Sequence, residues 1–176
     1  GFYPIEAGSY ELLQDKIKNS TFKRVVNEQM VDGMEVLSFV EIPEDKKSKG
    51  MTIVAGADYR STVKDGRFPV GWEEALNAFY SQKEILVWKE TKKSNKEVDI
   101  KSMIYELKPL DDAVYMRVAA GSVQNLKPEL VTEAFASYCG LDNVKFVHHR
   151  LETFANIGTD TAPVFVTLDS LGTEIL

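Results

Sequence analysis

Several residue types that mark common functional classes are scarce in this chain. Its 176 residues include one cysteine, Cys139, and two histidines, so an internal disulfide is excluded and soft metal ligands are few. No apolar run reaches the roughly 18 residues that a membrane-spanning helix needs. The N-terminus shows no basic segment followed by an apolar core, which is the pattern of a signal peptide. We therefore expect a cytoplasmic protein that contacts no membrane.

Basic residues are also in the minority. The 21 lysines and arginines are outnumbered by 27 aspartates and glutamates, which gives a formal net charge of −6. Non-specific nucleic-acid binding depends on neutralising many phosphates, so this charge disfavours it while leaving room for a local basic patch. The content of 44% hydrophobic and 27% charged residues is typical of an ordinary globular protein.

The order of the periodic segments predicts the fold class. From residue 58 onwards the pattern reads strand, helix, strand, strand, helix, strand. Two such βαβ units on one antiparallel sheet form a ferredoxin-like plait. Its two helices, predicted at 72–82 and 126–139, should lie on one face of the sheet. The expected fold is therefore α+β.

The first part of the chain predicts a partial second plait. A helix at 21–30, a turn at Asp32-Gly33 and an alternating strand at 34–42 make a strand–helix–strand unit with the short apolar start of the chain. A charged segment at 43–50 lacks apolar residues and is typical of a linker. We therefore predict a partial unit at 1–43 and a ferredoxin-like domain at 51–176.

A strand, a polar turn and a helix form the best-defined stretch of the sequence. The strand is predicted at 114–120, and the helix has Asn125 as its N-cap, Pro128 in its first turn and Gly140 as its stop. Free backbone N–H groups at such a helix start can bind an anion, with Gly121, Ser122 and Asn125 around it. The alternative is a plain strand-to-helix turn, in which glycine serves the backbone and Asn125 the cap.

One face of this helix carries an apolar stripe and should lie against the sheet. Its members recur at helical spacing: Leu130, Val131, Ala134, Phe135 and Tyr138.

A second candidate site is a lysine-rich turn at 92–96, between strands predicted at 84–90 and near 98–107. Lysines with nearby aromatics can track a phosphate backbone and stack bases. The candidate binding residues are Trp88, Lys92, Lys93, Lys96 and Lys101, with Lys89 and Tyr105 close in sequence. Interleaved Glu90, Glu97 and Asp99 support the alternative, a solvated hairpin whose Trp88 belongs to the core.

Asp99 is the weak candidate for a catalytic group. A carboxylate among lysines can act as acid, base or nucleophile with an altered pKa. It can equally cap the turn that it begins, or pair with Lys96 or Lys101. The sequence favours the structural use.

The histidines and the cysteine predict no further site. His148 and His149 are neighbours on a predicted strand, so their side chains should point to opposite faces, one towards the core and one exposed. They cannot share one metal ion in that geometry, and we expect no metal and no cofactor. Cys139 lies at a helix C-terminus, where the dipole disfavours a thiolate.

Five stretches together resemble the radical SAM-linked family, a bacterial domain of unknown function encoded beside radical SAM proteins or fused to them. They lie at residues 27–36, 56–59, 96–100, 119–130 and 150–153. The most specific are Lys-Glu-Val-Asp-Ile at 96–100 and the Gly-Ser-x-x-Asn-Leu-Lys-Pro-Glu run that starts at Gly121. In that family a further N-terminal strand–helix–strand usually comes first, and the resemblance implies that this part is missing here.

The resemblance implies a partner rather than a mechanism. One cysteine cannot hold the three-cysteine cluster of a radical SAM enzyme, so any radical chemistry belongs to a partner protein. The leading hypothesis is a non-catalytic binding module that works with a radical SAM protein and presents RNA or another macromolecular substrate to it. The alternatives are an RNA-modifying enzyme that uses Asp99 and a structural subunit-contact domain. The oligomeric state stays open.

Overall fold

The structure is a computed structural model, which describes residues 19–37, 40–41, 53–91, 94–141, 143–159 and 161–174. These residues form three α-helices and nine strands. In chain order they are α1 (Asn19–Glu28), β1 (Val40–Glu41), β2 (Val54–Val63), α2 (Trp72–Tyr80), β3 (Leu86–Thr91), β4 (Ser94–Asp99), β5 (Ile104–Leu110), β6 (Ala113–Ala119), α3 (Pro128–Tyr138), β7 (Phe146–Asn156), β8 (Phe165–Thr167) and β9 (Thr173–Glu174).

The main sheet is antiparallel and has five strands in the order β5-β6-β2-β7-β8. Met116 of β6 lies between Tyr59 of β2 and Leu107 of β5, which fixes the register of the three strands. A β-bulge interrupts β5 between Ile104 and Glu106. The predicted α+β class with an antiparallel sheet is therefore confirmed.

The chain divides into two compact units. One contains residues 55–154, and the other contains residues 1–54 together with 155–176. This division does not test whether either part folds alone, so the domain boundaries at 1–43 and 51–176 stay a prediction.

The core of the 55–154 unit lies between α2, α3 and the sheet. α2 buries Trp72, Leu76 and Phe79 at helical spacing. The ring of Phe79 contacts that of Phe135 on α3, with centroids 5.6 Å apart, so the two helices pack against each other. Phe135 is 1% exposed. This packing explains why a single stripe on each helix is apolar.

The start of α3 differs from the prediction. Asn125 is not the N-cap: the helix begins at Pro128, and Lys127 is the N-cap, in an extended conformation and without a side-chain cap bond. A residue that precedes proline is pushed out of the helical region, and proline itself is favoured at the first helical position. Pro128 therefore sets the boundary. The predicted stop is confirmed, since Gly140 takes the positive φ of 65° that ends helices.

The buried face of α3 is rotated from the predicted stripe. The helix buries Val131, Phe135 and Ala136, while Tyr138 is 48% exposed. Thr132 is also buried. Its hydroxyl is satisfied there, because it donates to the carbonyls of Pro128 and Glu129 at 3.3 and 3.1 Å. A polar residue that bonds within its own helix can thus occupy a core position.

Strands β3 and β4 form a separate two-stranded sheet between α2 and β5. The single strand predicted near 98–107 is divided, because the 3₁₀ turn Lys101–Met103 separates β4 from β5. Between α2 and α3 the structure therefore describes four strands, β3 to β6, where the predicted element order has two. Residues 92 and 93 of the predicted basic turn lie outside the described residues, and β4 begins at Ser94. We call β3 and β4 the hairpin.

In the other unit, α1 confirms the helix predicted near 21–30. The chain then turns at Gly33, where φ is 86°. Residues 34–37 do not form the predicted strand. The side chain of Asn27 satisfies the backbone there, since its Oδ1 accepts from the N–H of Val36 at 2.7 Å and its Nδ2 donates to the carbonyl of Val36 at 3.1 Å. The strand part that is present, β1, pairs with β9.

The partial second plait cannot be assessed, because residues 1–18, 38–39 and 42–52 are outside the described ranges. Among the helices that the structure describes, none combines the length and the apolar character needed to cross a membrane.

Candidate functional site

The hairpin exposes a tryptophan. Trp88 is 69% exposed, so the interpretation of this residue as core is wrong. In the antiparallel register Trp88 lies opposite Glu97, and Leu86 lies opposite Asp99. Directly opposed residues point to the same side of a two-stranded sheet, and so do residues two apart on one strand. Leu86, Trp88, Glu97 and Asp99 therefore share one side, which we call the hairpin face.

Of the lysines predicted to accompany Trp88, the two that the structure describes, Lys96 and Lys101, do not lie on the hairpin face. Lys96 is exposed, but it is the neighbour of Glu97 on β4, so its side chain points away from the hairpin face. Lys101 follows β4 and turns to α2, where its ammonium donates to the carbonyl of Tyr80 and lies 3.5 Å from the centroid of the Tyr80 ring. Burial lowers the pKa of Lys101, although Asp99 opposes this shift. Lys92 and Lys93 lie outside the described residues.

Asp99 stabilises the backbone at the end of the hairpin. Its Oδ1 accepts hydrogen bonds from the N–H groups of Lys101 at 2.9 Å and Ile85 at 2.8 Å. The bond from Lys101 and then that from Ile85 lower the pKa of the Asp99 carboxyl, so the group is ionised and a weak base. This geometry matches the capping use that the sequence favoured. A catalytic role for Asp99 stays a prediction.

The polar turn before α3 is the other predicted binding site. Gly121 has a φ of 150°, which favours glycine, and Ser122 and Asn125 are exposed. The N–H of Leu126 donates to the carbonyl of Ala119 at 2.9 Å, which closes the turn. Because Pro128 has no N–H, the helix start offers one donor fewer than a normal N-terminus. An anion site at Gly121, Ser122 and Asn125 stays a prediction.

A buried ion pair in the main sheet was not predicted. Asp58 on β2 is 6% exposed and lies opposite Arg117 on β6. Arg117 binds it with two parallel bonds, Nε to Oδ1 at 2.7 Å and Nη2 to Oδ2 at 2.8 Å. The hydroxyl of Tyr115 donates to Oδ2 at 2.6 Å. We call Asp58, Tyr115 and Arg117 the Asp58 cluster.

The electrostatics of the Asp58 cluster stabilise one protonation state. Burial raises the pKa of Tyr115, and the hydrogen bond to Asp58 raises it further, so the hydroxyl stays protonated. The hydrogen bond to Asp58 also raises the pKa of Arg117. The guanidinium carbon lies 4.3 Å from the centroid of the Phe154 ring. Because the three groups bond one another, the arrangement suits a structural cross-link between β2 and β6 better than chemistry.

A signal for this cluster exists in the sequence. Arg117 is a single charge inside the otherwise apolar segment Val114-Tyr-Met-Arg117-Val-Ala, and Asp58 directly follows the apolar run Val54-Ala-Gly-Ala. A lone charge at such a position is seldom buried unless it is paired.

A second buried polar contact joins Ser61 and His148. Ser61 is fully buried, and its Oγ lies 2.8 Å from Nδ1 of the half-buried His148. His149 is exposed, so the predicted division of the two histidines between faces is confirmed. Burial lowers the pKa of His148, while Glu129 and then Glu133 oppose the shift. Because Ser61 has no access to solvent, this pair is not a usable nucleophile.

His148 should make the stability of the protein depend on pH. Its pKa is lower in the folded chain than in the unfolded chain, so unfolding takes up a proton at acidic pH. The stability advantage of wild type over His148→Gln should therefore shrink as the pH falls from about 7.5 through about 6.5, the unfolded value, to about 5.5. Urea denaturation at each pH measures it, with His149→Gln as the control for loss of an exposed histidine. An advantage that stays constant or grows over this range would show that His148 is not held neutral.

An open cavity of about 450 Å³ lies beside the stacked rings of Phe68 and Trp72, whose centroids are 4.2 Å apart. Its charged lining groups, Arg67, Asp111 and Asp112, are exposed and of both signs. They offer no buried polar group that would select a ligand. In the part of the chain that the structure describes, no three histidine, cysteine or carboxylate side chains are grouped to hold a metal ion. Burial raises the pKa of Cys139, which keeps it a thiol.

Comparison with known proteins places the chain among bacterial proteins. A family model described as "Uncharacterized protein conserved in bacteria (DUF2344)" matches residues 6–128. That match contains α2, the hairpin and both charged members of the Asp58 cluster. Neither a curated protein nor a solved structure matches the chain. Since the family model covers more than half of the 176 residues, the chain belongs to this uncharacterized bacterial family, DUF2344.

Proposed function

We propose that the chain is a non-catalytic binding module that docks on a partner protein through the hairpin face. The observation that carries this proposal is the 69% exposure of Trp88, beside Leu86 at 47%. Tryptophan is enriched among the few residues that supply most of the binding energy in protein interfaces. When a partner covers a large aromatic side chain that was exposed to water, the free energy of the system falls.

The ionisable groups of the described chain support a non-catalytic role. Asp99 accepts two backbone N–H groups, Asp58 is bound by Arg117 and Tyr115, and His148 contacts a buried serine. An active site needs a perturbed group with access to substrate. Here Asp99 binds the backbone, and Asp58 and His148 bind other side chains, so a partner is better placed to do the chemistry.

We propose a radical SAM protein as that partner and the cytoplasm as the compartment. The support is the resemblance of five sequence stretches to the radical SAM-linked family, together with the single cysteine. A binding module encoded beside a radical SAM protein supplies recognition, and the enzyme supplies the iron–sulfur cluster.

RNA is the weaker candidate for the occupant of the hairpin. Its support is the exposed Lys96 and the lysine-rich sequence around it. The register places carboxylates rather than lysines beside Trp88, and a phosphate backbone is repelled by carboxylates. Protein is therefore the occupant that the geometry favours.

For the fold, we propose a ferredoxin-like plait with the hairpin inserted between its first helix and its second strand. Its support is the strand order β5-β6-β2-β7, with α2 and α3 as the two connections. In this assignment the hairpin is an addition to the plait, which suits a recognition element.

Trp88→Ala should weaken binding to the proposed radical SAM partner by at least about 2 kcal/mol, which is roughly 30-fold in Kd, because a tryptophan at an interface hot spot contributes that much. Biolayer interferometry with the full-length proteins measures it. Val70→Ala is the matched control, since Val70 is a fully exposed apolar residue that belongs neither to the hairpin nor to the turn before α3.

Equal Kd values for wild type and Trp88→Ala would contradict docking through the hairpin. Filter binding of single-stranded RNA by the same proteins tests the other occupant. If RNA binds at low salt and Lys96→Glu weakens it while the partner protein does not bind, RNA is the better assignment.

A further inference from the structure

The hairpin face has two rows of different chemistry. Leu86 and Trp88 form an apolar row on β3, and Asp99 and Glu97 form an acidic row directly opposite them on β4. All four side chains are exposed. The other side of the hairpin carries Val87, which is 8% exposed. The hairpin therefore turns its apolar valine inward and presents an aromatic ring beside carboxylates to solvent.

We infer that the hairpin face recognises an extended, basic segment of a partner protein, with two arginine or lysine residues at positions i and i+2. This inference rests on the proposed function and names the chemistry of the partner's contact. It follows from the charge and the spacing of the face.

The charge selects a cation. An arginine or lysine that lies over the Trp88 ring is attracted by the negative face of the indole, and tryptophan is the best aromatic partner for such a contact. The same cation can pair with the carboxylate of Glu97 across the strands, because opposed side chains lie about 5 Å apart. Ring and carboxylate thus converge on one position.

The spacing selects an extended segment. Glu97 and Asp99 are two residues apart on one strand, which places them about 7 Å from each other. Two basic residues at i and i+2 of an extended partner have the same separation. Asp99 is oriented for this role, because its Oδ1 is fixed by two backbone N–H groups. Because Oδ1 of Asp99 is already occupied by these N–H groups, Glu97 carries the larger share of the recognition.

The net charge of the chain decides against a second copy of itself. Two copies of a chain with a net charge of −6 repel each other, whereas an acidic face attracts a basic partner. Leu86 adds an apolar contact for the aliphatic stems of the basic side chains, which lie on the same side of the extended segment.

Two synthetic peptides test the inference without the partner protein. One has the sequence acetyl-Ser-Arg-Val-Arg-Ser-amide, and the control has glutamine in place of both arginines. The measurement is the NMR shift of the Trp88 indole N–H of the full chain, assigned with Trp88→Phe. The arginine peptide should shift this signal in a saturable way, and added salt should weaken the binding.

The variant Glu97→Gln should bind the arginine peptide roughly two- to fivefold more weakly, as loss of an exposed ion pair predicts. Because Glu97 is exposed, the variant should keep the thermal midpoint and circular dichroism of wild type. Trp88→Ala should lower the affinity by a similar factor when binding is followed by fluorescence anisotropy of a labelled peptide.

Equal shifts with both peptides would overturn the inference, since the contact would then be apolar alone. A shift with neither peptide overturns it too. The same two variants are compared with the proposed radical SAM partner as ligand. If Trp88→Ala loses affinity and Glu97→Gln does not, the docking proposal stands and the inference of a basic segment is refuted. No loss on Trp88→Ala refutes the docking proposal itself.

Discussion

Replacing Arg117 by methionine should lower the free energy of unfolding by about 3–5 kcal/mol, because the Asp58 carboxylate would stay buried without its ion pair. Asp58 is 6% exposed. Its carboxylate accepts three hydrogen bonds within the cluster, and Arg117 donates two of them. Tyr115 alone cannot compensate a buried charge. Urea denaturation followed by circular dichroism measures the loss as a shift of the midpoint.

Two further variants decide the cause of that loss. The pair of Arg60 and Asp112 is exposed, with side-chain exposures of 36% and 79%, so Arg60→Met should cost at most about 1 kcal/mol. The double variant Asp58→Leu with Arg117→Met removes both charges and should recover much of the stability, as replacement of buried pairs by apolar residues does. If Arg117→Met and Arg60→Met have the same small effect, Asp58 is not a buried charge.

Phe135→Ala should lower the free energy of unfolding by about 3–5 kcal/mol, as loss of a buried aromatic side chain does. Phe135 is 1% exposed and its ring lies against Phe79 of α2. The substitution therefore opens a cavity where α2 and α3 meet. A denaturant midpoint gives the value.

The matched control for this cavity is Tyr138→Ala on the same helix. Tyr138 also contacts Phe79, with centroids 5.5 Å apart, but it is 48% exposed. Its truncation should cost clearly less than that of Phe135. A midpoint of Phe135→Ala that equals wild type would place the core elsewhere.

Local sequence patterns predicted the helices and strand β3 well, whereas β4 occupies residues 94–96 of the predicted basic turn. The 3.6-residue repeat around Leu76 and Phe79 is a property of one segment, so periodicity alone locates α2. Pro128 and Gly140 constrain the backbone next to them. The structure begins α3 at Pro128 and ends it just before Gly140. Asn125 is not the N-cap because the constraint that Pro128 imposes on Lys127 outweighs the capping preference of asparagine.

Features that depend on pairing between distant segments were not predictable in the same way. Asp58 meets Arg117 only through the register of β2 with β6, 59 positions apart in the chain. The hairpin register is a case at shorter range. It places Trp88 with Glu97 rather than with the lysines, and a shift by one residue would have produced the aromatic and basic surface that the sequence suggested.

Hydrogen–deuterium exchange of the full-length chain, with and without the proposed radical SAM partner, tests the docking proposal most directly. The amides of the hairpin, Leu86–Thr91 and Ser94–Asp99, should exchange more slowly in the complex, because a partner that covers the hairpin face opposes local opening. In the Trp88→Ala variant this protection should be lost. Unchanged exchange in the hairpin, with new protection at the turn of Gly121, Ser122 and Asn125 instead, would contradict the proposal.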